Sequence, residues 1–207
     1  MKIKNEKLLS DLFDKLSVYI ENETDLVFNE IDLYEQNKKI SFVVPHEDPN
    51  EDYYIASYDK VNRGVSFNGE EGHLSIDLAI EILKFFCGES SFGDEKGCER
   101  TNEKNMKEFV ADGVKIKDGK LLKEIENDIT LFSKEELDVE EGISFYHLND
   151  DIGFASIPVD MIFVALDYKT KEVWFHDEIE YPLLLILKTL VFLRDQMRFM
   201  KRDHRYL

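Results

Sequence analysis

Two stretches more than a hundred residues apart are written on the same plan: "YYIASYDKVNRGVSF" at 53–67 and "IFVALDYKTKEVWF" at 162–175. In each, apolar and polar residues alternate, a polar turn follows, and the alternation resumes, which is the signature of an antiparallel hairpin with one buried face. Each hairpin is preceded by an apolar run, "ISFVVP" or "IGFASIP". Each is followed by an acidic loop, "NGEEGH" or "HDEIEY", and then by an apolar helical segment. A hairpin that buries one face needs a covering layer, and the helix that follows supplies it. The order β-β-β-α thus recurs, with a single-residue gap expected in the turn. The expected fold class is α+β: antiparallel sheets with helices packed on one face, and an internal duplication of the β-β-β-α unit.

Around these hairpins the pattern divides the chain. Residues 5 to 22 place Leu8, Leu9, Leu12, Phe13, Leu16, Tyr19 and Ile20 at helical spacing. "LVFNEIDLY" and "KISFVVP" read as strands about the turn "EQNK". Ser75 reads as the N-cap of a helix whose stripe is Ile76, Ala79, Ile80 and Leu83. Residues 88–105, "GESSFGDEKGCERTNEKN", are rich in Gly, Ser and charge and read as a linker between an N-terminal unit, 1–87, and a second unit, 106–207. Asp-Gly pairs at Asp112 and Asp118 point to short strands joined by tight turns. "NDITLFSKEELDVEEG" reads as an acidic loop, and the last helix spans about Tyr181 to Arg202.

Charge narrows the function. The 207 residues hold 44 acidic and 26 basic side chains, a formal net charge of -18. So negative a surface repels a phosphate backbone, which excludes direct nucleic-acid binding. The charge is also segregated. Residues 194–207 carry five basic and two acidic side chains, net +3, and the remainder 21 and 42, net -21. The basic tail of Arg194, Arg198, Lys201, Arg202 and Arg205 suits a helix C-terminus and pairing with the protein's own acids.

Catalytic signatures are missing. The five histidines, His46, His73, His147, His176 and His204, have no metal-ligand spacing. There is no nucleophile elbow, P-loop or dinucleotide fingerprint. No catalytic residue, metal site or cofactor is assigned. Cys87 and Cys98 make no disulfide framework and suit a reducing, cytoplasmic setting. The longest apolar run, 181–193, contains Lys188 and is too short to cross a bilayer, so no membrane association is expected.

What remains are carboxylates mixed with aromatics. Glu47, Asp48, Glu51 and Asp52 stand beside Tyr53 and Tyr54, and Glu135, Glu136, Asp138, Glu140 and Glu141 surround Leu137 and Val139. Such segments imitate nucleic-acid charge spacing and are steered onto basic clefts. They are the expected partner-binding residues of a non-enzymatic inhibitor or immunity-type factor, of a size common among phage and mobile-element accessory proteins. The expected partner is a basic, nucleic-acid-handling protein, such as a nuclease or toxin. The alternative is an enzyme or ligand-binding domain whose His46 and His176, with nearby acids, line a pocket between the halves. A homo-oligomer formed through edge strands or the last helix is a third expectation.

The segment "GFASIPVDMIFVALDYKTKEVWFHDEIEYPLLLILKTLVFL" resembles the C-terminal half of the SMI1/KNR4 (SUKH) superfamily through Asp167, Val173, Trp174, Phe175, His176 and Asp177. The resemblance covers about 40 residues, and the family's N-terminal proline-tyrosine and Asn-Gly-Gly patterns are not present. It implies an immunity protein that neutralises a toxin.

Overall fold

Leu9, Leu12, Leu16 and Ile20 fall on one side of a helix, α1 (Glu6–Glu23), and all four are buried. A four-stranded meander follows: β1 (Asp32–Gln36), β2 (Lys39–Val44), β3 (Tyr53–Asp59) and β4 (Gly64–Phe67). A short strand β5 (Leu74–Ser75) then leads into α2 (Ile76–Glu89). The Ser75 hydroxyl accepts the Leu78 N–H at 3.3 Å, as an N-cap should. The small hairpin β6 (Phe109–Ala111) and β7 (Val114–Ile116) precedes α3 (Gly119–Glu136). The second meander is β8 (Ser144–Leu148), β9 (Asp151–Ser156), β10 (Met161–Asp167) and β11 (Glu172–Phe175). It ends in the short strand β12 (Tyr181–Pro182) and the helix α4 (Leu183–Asp203). The computed structural model describes residues 3, 6–23, 30–46, 48, 51–68, 74–89, 109–111, 114–137, 139, 142–156, 161–176 and 179–203.

The fold class is α+β, with two five-stranded antiparallel sheets, the separate β6–β7 hairpin and a helical layer on one face. Strand order is β1-β2-β3-β4-β12 in the first sheet and β5-β11-β10-β9-β8 in the second. Each sheet's fifth strand therefore comes from the other half of the chain: Tyr181 pairs with Val65, and Leu74 pairs with Val173. The helices lie in the row α1-α2-α4-α3. One apolar core runs through both units, so the pieces 1–87 and 106–207 are held together by exchanged strands and by the α2–α4 contact. Residues 90–105 of the expected linker lie outside the described residues.

The repeated plan extends further than a β-β-β-α unit. Helix, four-stranded meander, short exchanged strand and helix occur in the same order twice. No gap is needed in the turn: Asp59 and Asp167, and Arg63 and Lys171, correspond at a constant spacing of 108 residues. Asp59 Oδ1 accepts the Val61 and Asn62 N–H groups, and Asp167 Oδ1 accepts those of Lys169 and Thr170. Arg63 and Lys171 both take positive φ, 59° and 70°. Each unit carries one bulge, at Ile55 and at Phe163, where the ladder shifts register. The corresponding Phe67 and Phe175 stack on each other, centroids 4.1 Å apart. Ion pairs tie the outer helices to the inner ones with reversed polarity, Lys15–Glu81 in the first unit and Asp128–Lys188 in the second. The likeness is one of element order and register, and no match of sequence establishes descent from a duplicated unit.

Helix α3 overturns two expectations. Asp118-Gly119 is a helix start, not a hairpin turn: Asp118 Oδ1 accepts the Leu121 N–H at 3.0 Å. "NDITLFSKEE" belongs to that helix, with Ile129 and Ser133 buried, and is not a loop. The other Asp-Gly pair, Asp112-Gly113, lies outside the described residues, while β6 and β7 pair antiparallel. That hairpin is fastened to α4 by the buried Gln196, whose amide donates to Lys115 O at 2.7 Å and accepts from Lys117 N–H at 3.0 Å. The side chain thus takes the place of a neighbouring strand. Gln196→Ala is expected to destabilise the fold by about 1–2 kcal/mol by removing both hydrogen bonds of a buried side chain, measured as a lowered denaturation midpoint at unchanged m-value.

Candidate partner-binding surface

In both sheets one face turns to the helices and the other away. Phe42 on β2 meets Phe13 of α1 and Phe85 and Phe86 of α2, and Phe154 on β9 meets Phe192 of α4. Alternation along each strand then assigns the outer faces. On the first sheet, Tyr34, Ser41, Ser57 and Ser66 form one outward row through successive cross-strand pairs. Asp32, Val43 and Tyr54 form the next. The Ser41 and Ser57 hydroxyls bond to each other at 2.8 Å, making a small, closed floor. Ser41, Ser57 and Val43 are nonetheless buried, and the exposed side chains of these rows are Tyr34 and Tyr54, at 40% and 45%. Burial raises the Tyr34 phenol above its ordinary value, and the charge of Asp32 and a hydrogen bond to it, then Asp52 and Tyr54, act in the same direction. Two tyrosines and two carboxylates therefore share one surface.

The β2–β3 loop brings part of the first predicted segment to that surface. The Asp52 carboxylate accepts the His46 N–H at 2.9 Å, and the Glu51 N–H donates to Asp48 O at 2.9 Å, so the loop folds back on itself. Asp48 and Glu51 are exposed and Asp52 is half-buried; Glu47 lies outside the described residues. Tyr53 does not belong to the surface. Alternation turns its ring into the core, where it is 8% exposed, while Tyr54 points out. In the second segment Glu135 and Glu136 are exposed on the last turn of α3, while Asp138, Glu140 and Glu141 lie outside the described residues. That helix packs on α4 and on β8 of the second sheet, so the two segments belong to different units.

His46 and His176 follow strands of different sheets, and His73 and His204 lie outside the described residues. His46 Nδ1 lies 3.2 Å from both the Asp48 N–H and a Glu51 carboxylate oxygen, which engages it within its own loop. The His176 N–H donates to the Tyr181 hydroxyl at 2.7 Å. His46 follows β2 of the first sheet and His176 follows β11 of the second. Among the described residues no group of three or more His, Cys, Asp or Glu side chains is placed to hold a metal. Cys87 is buried, as a small hydrophobe would be, and Cys98 lies outside the described residues. Arg194 and Arg198 of the basic tail approach Asp77 of α2 at 3.4 and 3.8 Å. No helix of the described residues is long and apolar enough to cross a membrane.

The second sheet has a corresponding outer face that the sequence pattern did not single out as a surface. Tyr146, Gly153, Ala165 and Trp174 form one outward row, and Ser144, Ala155 and Ile162 another. Tyr34 and Asp32 were missed in the same way. The signal for all of them is alternation within an edge strand or hairpin, which is readable only once the inward set is known. No family model, no curated protein and no solved structure matches the chain.

Proposed function

We propose that this chain is a non-enzymatic, acidic interaction protein that docks on a basic, nucleic-acid-handling protein, as an inhibitor or immunity-type factor does. The observation that carries the reading is the outer face of the first sheet, where exposed Tyr34 and Tyr54 stand beside Asp32 and Asp52. Tyrosine offers a large contact area at low cost in side-chain entropy. Carboxylates beside it select arginine and lysine on the partner. The net charge of -18 steers such a partner from a distance. The resemblance of residues 153–193 to the SUKH superfamily points to the same class of role.

The reading predicts an association rate that falls about tenfold or more between roughly 50 and 300 mM salt, because steering charges are screened. The partner is captured with the full-length protein from a lysate of the source organism and purified, and its association is followed by surface plasmon resonance. A Tyr34→Ala/Asp52→Asn/Tyr54→Ala variant is expected to bind at least tenfold more weakly. Asparagine retains an oxygen for the His46 N–H, so the loop survives. A partner that is not basic, or one bound equally at both salts by wild type and variant, overturns the proposal.

A further inference from the structure

The two sheets treat their outer edges differently. At the edge of the second sheet the turn Asn149–Asp150 sets Leu148 opposite Asp151, so alternate amides, those of Phe145 and of Ile143 just before the strand, face away from β9. Both are taken up by α3: Glu126 accepts the Phe145 N–H at 2.9 Å, and Thr130 Oγ1 accepts the Ile143 N–H at 3.0 Å. At the edge of the first sheet the turn Asn37–Lys38 sets Gln36 opposite Lys39, with Asn37 at φ 50° where Asn149 has 53°. The same alternation turns the amides and carbonyls of Leu33 and Glu35 away from β2. Nothing among the described residues accepts either N–H.

The cause lies in the helix beside each edge. The buried stripe of α1, Leu9, Leu12, Leu16 and Ile20, matches that of α3, Leu122, Ile125, Ile129 and Ser133, at a constant spacing of 113 residues. Phe13 then stands where α3 has Glu126, and Ser17 where it has Thr130. Phe13 offers no side-chain acceptor and packs edge-on against Phe42, 6.1 Å between centroids. Ser17 donates its hydroxyl to Phe13 O at 2.9 Å, within its own helix. An open edge is a template for another extended chain, and folded proteins cover or charge it. Here one unit covers its edge, while among the described residues the other leaves the β1 ladder open beside exposed Tyr34 and half-buried Asp32.

We propose that β1 docks an extended segment of the protein partner, which adds to the first sheet as an antiparallel strand and alternates basic with apolar residues. This deepens the function proposed above and rests on it. In an antiparallel ladder, residues directly opposite each other share a face. Those opposite Tyr34 and Asp32 therefore lie on the outer face, where a cation meets a ring and a carboxylate. Those opposite Leu33 and Glu35 turn to the helical side, beside half-buried Leu33, and it is their N–H and C=O groups that bond to β1. A second copy of the chain fits less well. Paired about Tyr34, it would line up Asp32 and Glu35 of both copies on one seam between two proteins of net charge -18.

A short capped peptide alternating arginine and valine is titrated into the full-length protein by calorimetry, beside two versions N-methylated on every arginine or on every valine. The three carry the same charge, so steering does not separate them. The parent and the arginine-methylated peptide are expected to bind alike. The valine-methylated peptide is expected to bind at least about tenfold more weakly, because its methyls replace the N–H groups that face β1. Glu35→Pro removes an edge donor and leaves the bonds to β2, and is expected to weaken binding of the parent peptide by about the same factor, with Glu35→Gln within about twofold of wild type. In the free protein the Leu33 amide is expected to exchange at least about tenfold faster than the Phe145 amide. Equal binding of the two methylated peptides, or the reverse order, overturns the proposal. A Leu33 amide as protected as that of Phe145 does so too, by showing the edge closed by the chain itself or by a second copy. If the captured partner binds Glu35→Pro as it binds wild type, yet associates more slowly as salt rises, this site fails and the proposed function stands. A captured partner that binds without salt sensitivity sinks the function instead.

Discussion

Gly153→Ala is expected to destabilise the protein by about 3 kcal/mol or more, which lowers the melting temperature of a chain of this size by roughly 6–12 °C. A Cβ at this position would lie 2.3 Å from the Val164 carbonyl oxygen and 2.9 Å from the Ala165 Cα. Both are backbone atoms of the adjacent strand, so accommodation requires β9 and β10 to part at the centre of the second sheet. The Tyr146 ring also covers the glycine, with Cε1 at 3.0 Å from the same point. It packs an aromatic face over a residue with no side chain of its own, an arrangement that shields the exposed backbone of a strand glycine. Burial there, with Asp151 adding to it, pushes the Tyr146 phenol up to about 12. Adding Tyr146→Ala to Gly153→Ala is expected to restore nothing, because the carbonyl limits the approach and the ring does not. Gly64 is the internal control. The three atoms nearest a Cβ there, from Cγ at 2.3 Å outward, all belong to the exposed Glu180 side chain, which must change rotamer while the strands stay paired, so Gly64→Ala is expected to cost less than Gly153→Ala, about 1–2 kcal/mol. Thermal denaturation of the four proteins decides the matter: equal losses at both glycines, or rescue by Tyr146→Ala, contradict the backbone clash.

The same glycine illustrates why part of this fold is legible in sequence and part is not. Alternation about "YDKVNRGV" and "LDYKTKEV" suffices to place two hairpins, because each buries one face and the period of two is strict. The stripes of α1 and α2 are equally plain, and Ser75 caps α2 as its position implies. Helix α3 was hidden by chemistry that serves two purposes. Asp-Gly favours a tight hairpin, but an aspartate also caps a helix, and at Asp118 the cap wins because Leu122, Ile125 and Ile129 follow at helical spacing. The acids between them gave that stretch the look of a solvated loop. Strand exchange leaves no periodic trace at all. Leu74–Ser75 and Tyr181–Pro182 are two residues each, and the partner strand lies across the chain in both cases. As for the candidate surface, composition names Asp52, Tyr53 and Tyr54 alike, whereas alternation leaves Tyr54 exposed and buries Tyr53. That Asp151 faces Asp167 is a fact of register and not of composition.

Tyr181→Phe is expected to cost about 2–3 kcal/mol and to lower the melting temperature by roughly 5–10 °C, although the substitution removes a single oxygen. Tyr181 is fully buried, and its backbone belongs to the first sheet through the pairing with Val65. Its hydroxyl belongs to the second unit. It donates to the Phe163 carbonyl at 2.7 Å, at the bulge of β10, and accepts the His176 N–H at 2.7 Å just after β11. The ring meets Phe163 and Phe175 edge-on, at 5.0 and 5.8 Å between centroids, and Phe175 in turn stacks on Phe67 of the first sheet. One side chain thus joins the exchanged strand, the bulge and the ring stack between the units. Phenylalanine keeps the ring contacts and strips out the hydroxyl, so the His176 N–H is left without this acceptor in a part-buried position, where desolvation is costly. The corresponding residue in the first unit is Leu74, which carries no polar group. The clamp is therefore one-sided, and the weakening should concentrate at the β11–β12 connection. Amide hydrogen exchange tests this directly. The His176 amide is expected to exchange at least about tenfold faster in Tyr181→Phe than in wild type, a larger factor than at the amides of α1, which share the global loss of stability but not the local contact. Uniform acceleration across both units would assign the hydroxyl to general packing, and a melting temperature within 1 °C of wild type, a threshold of about 0.3 kcal/mol, would remove the clamp from the account of how the two sheets are joined.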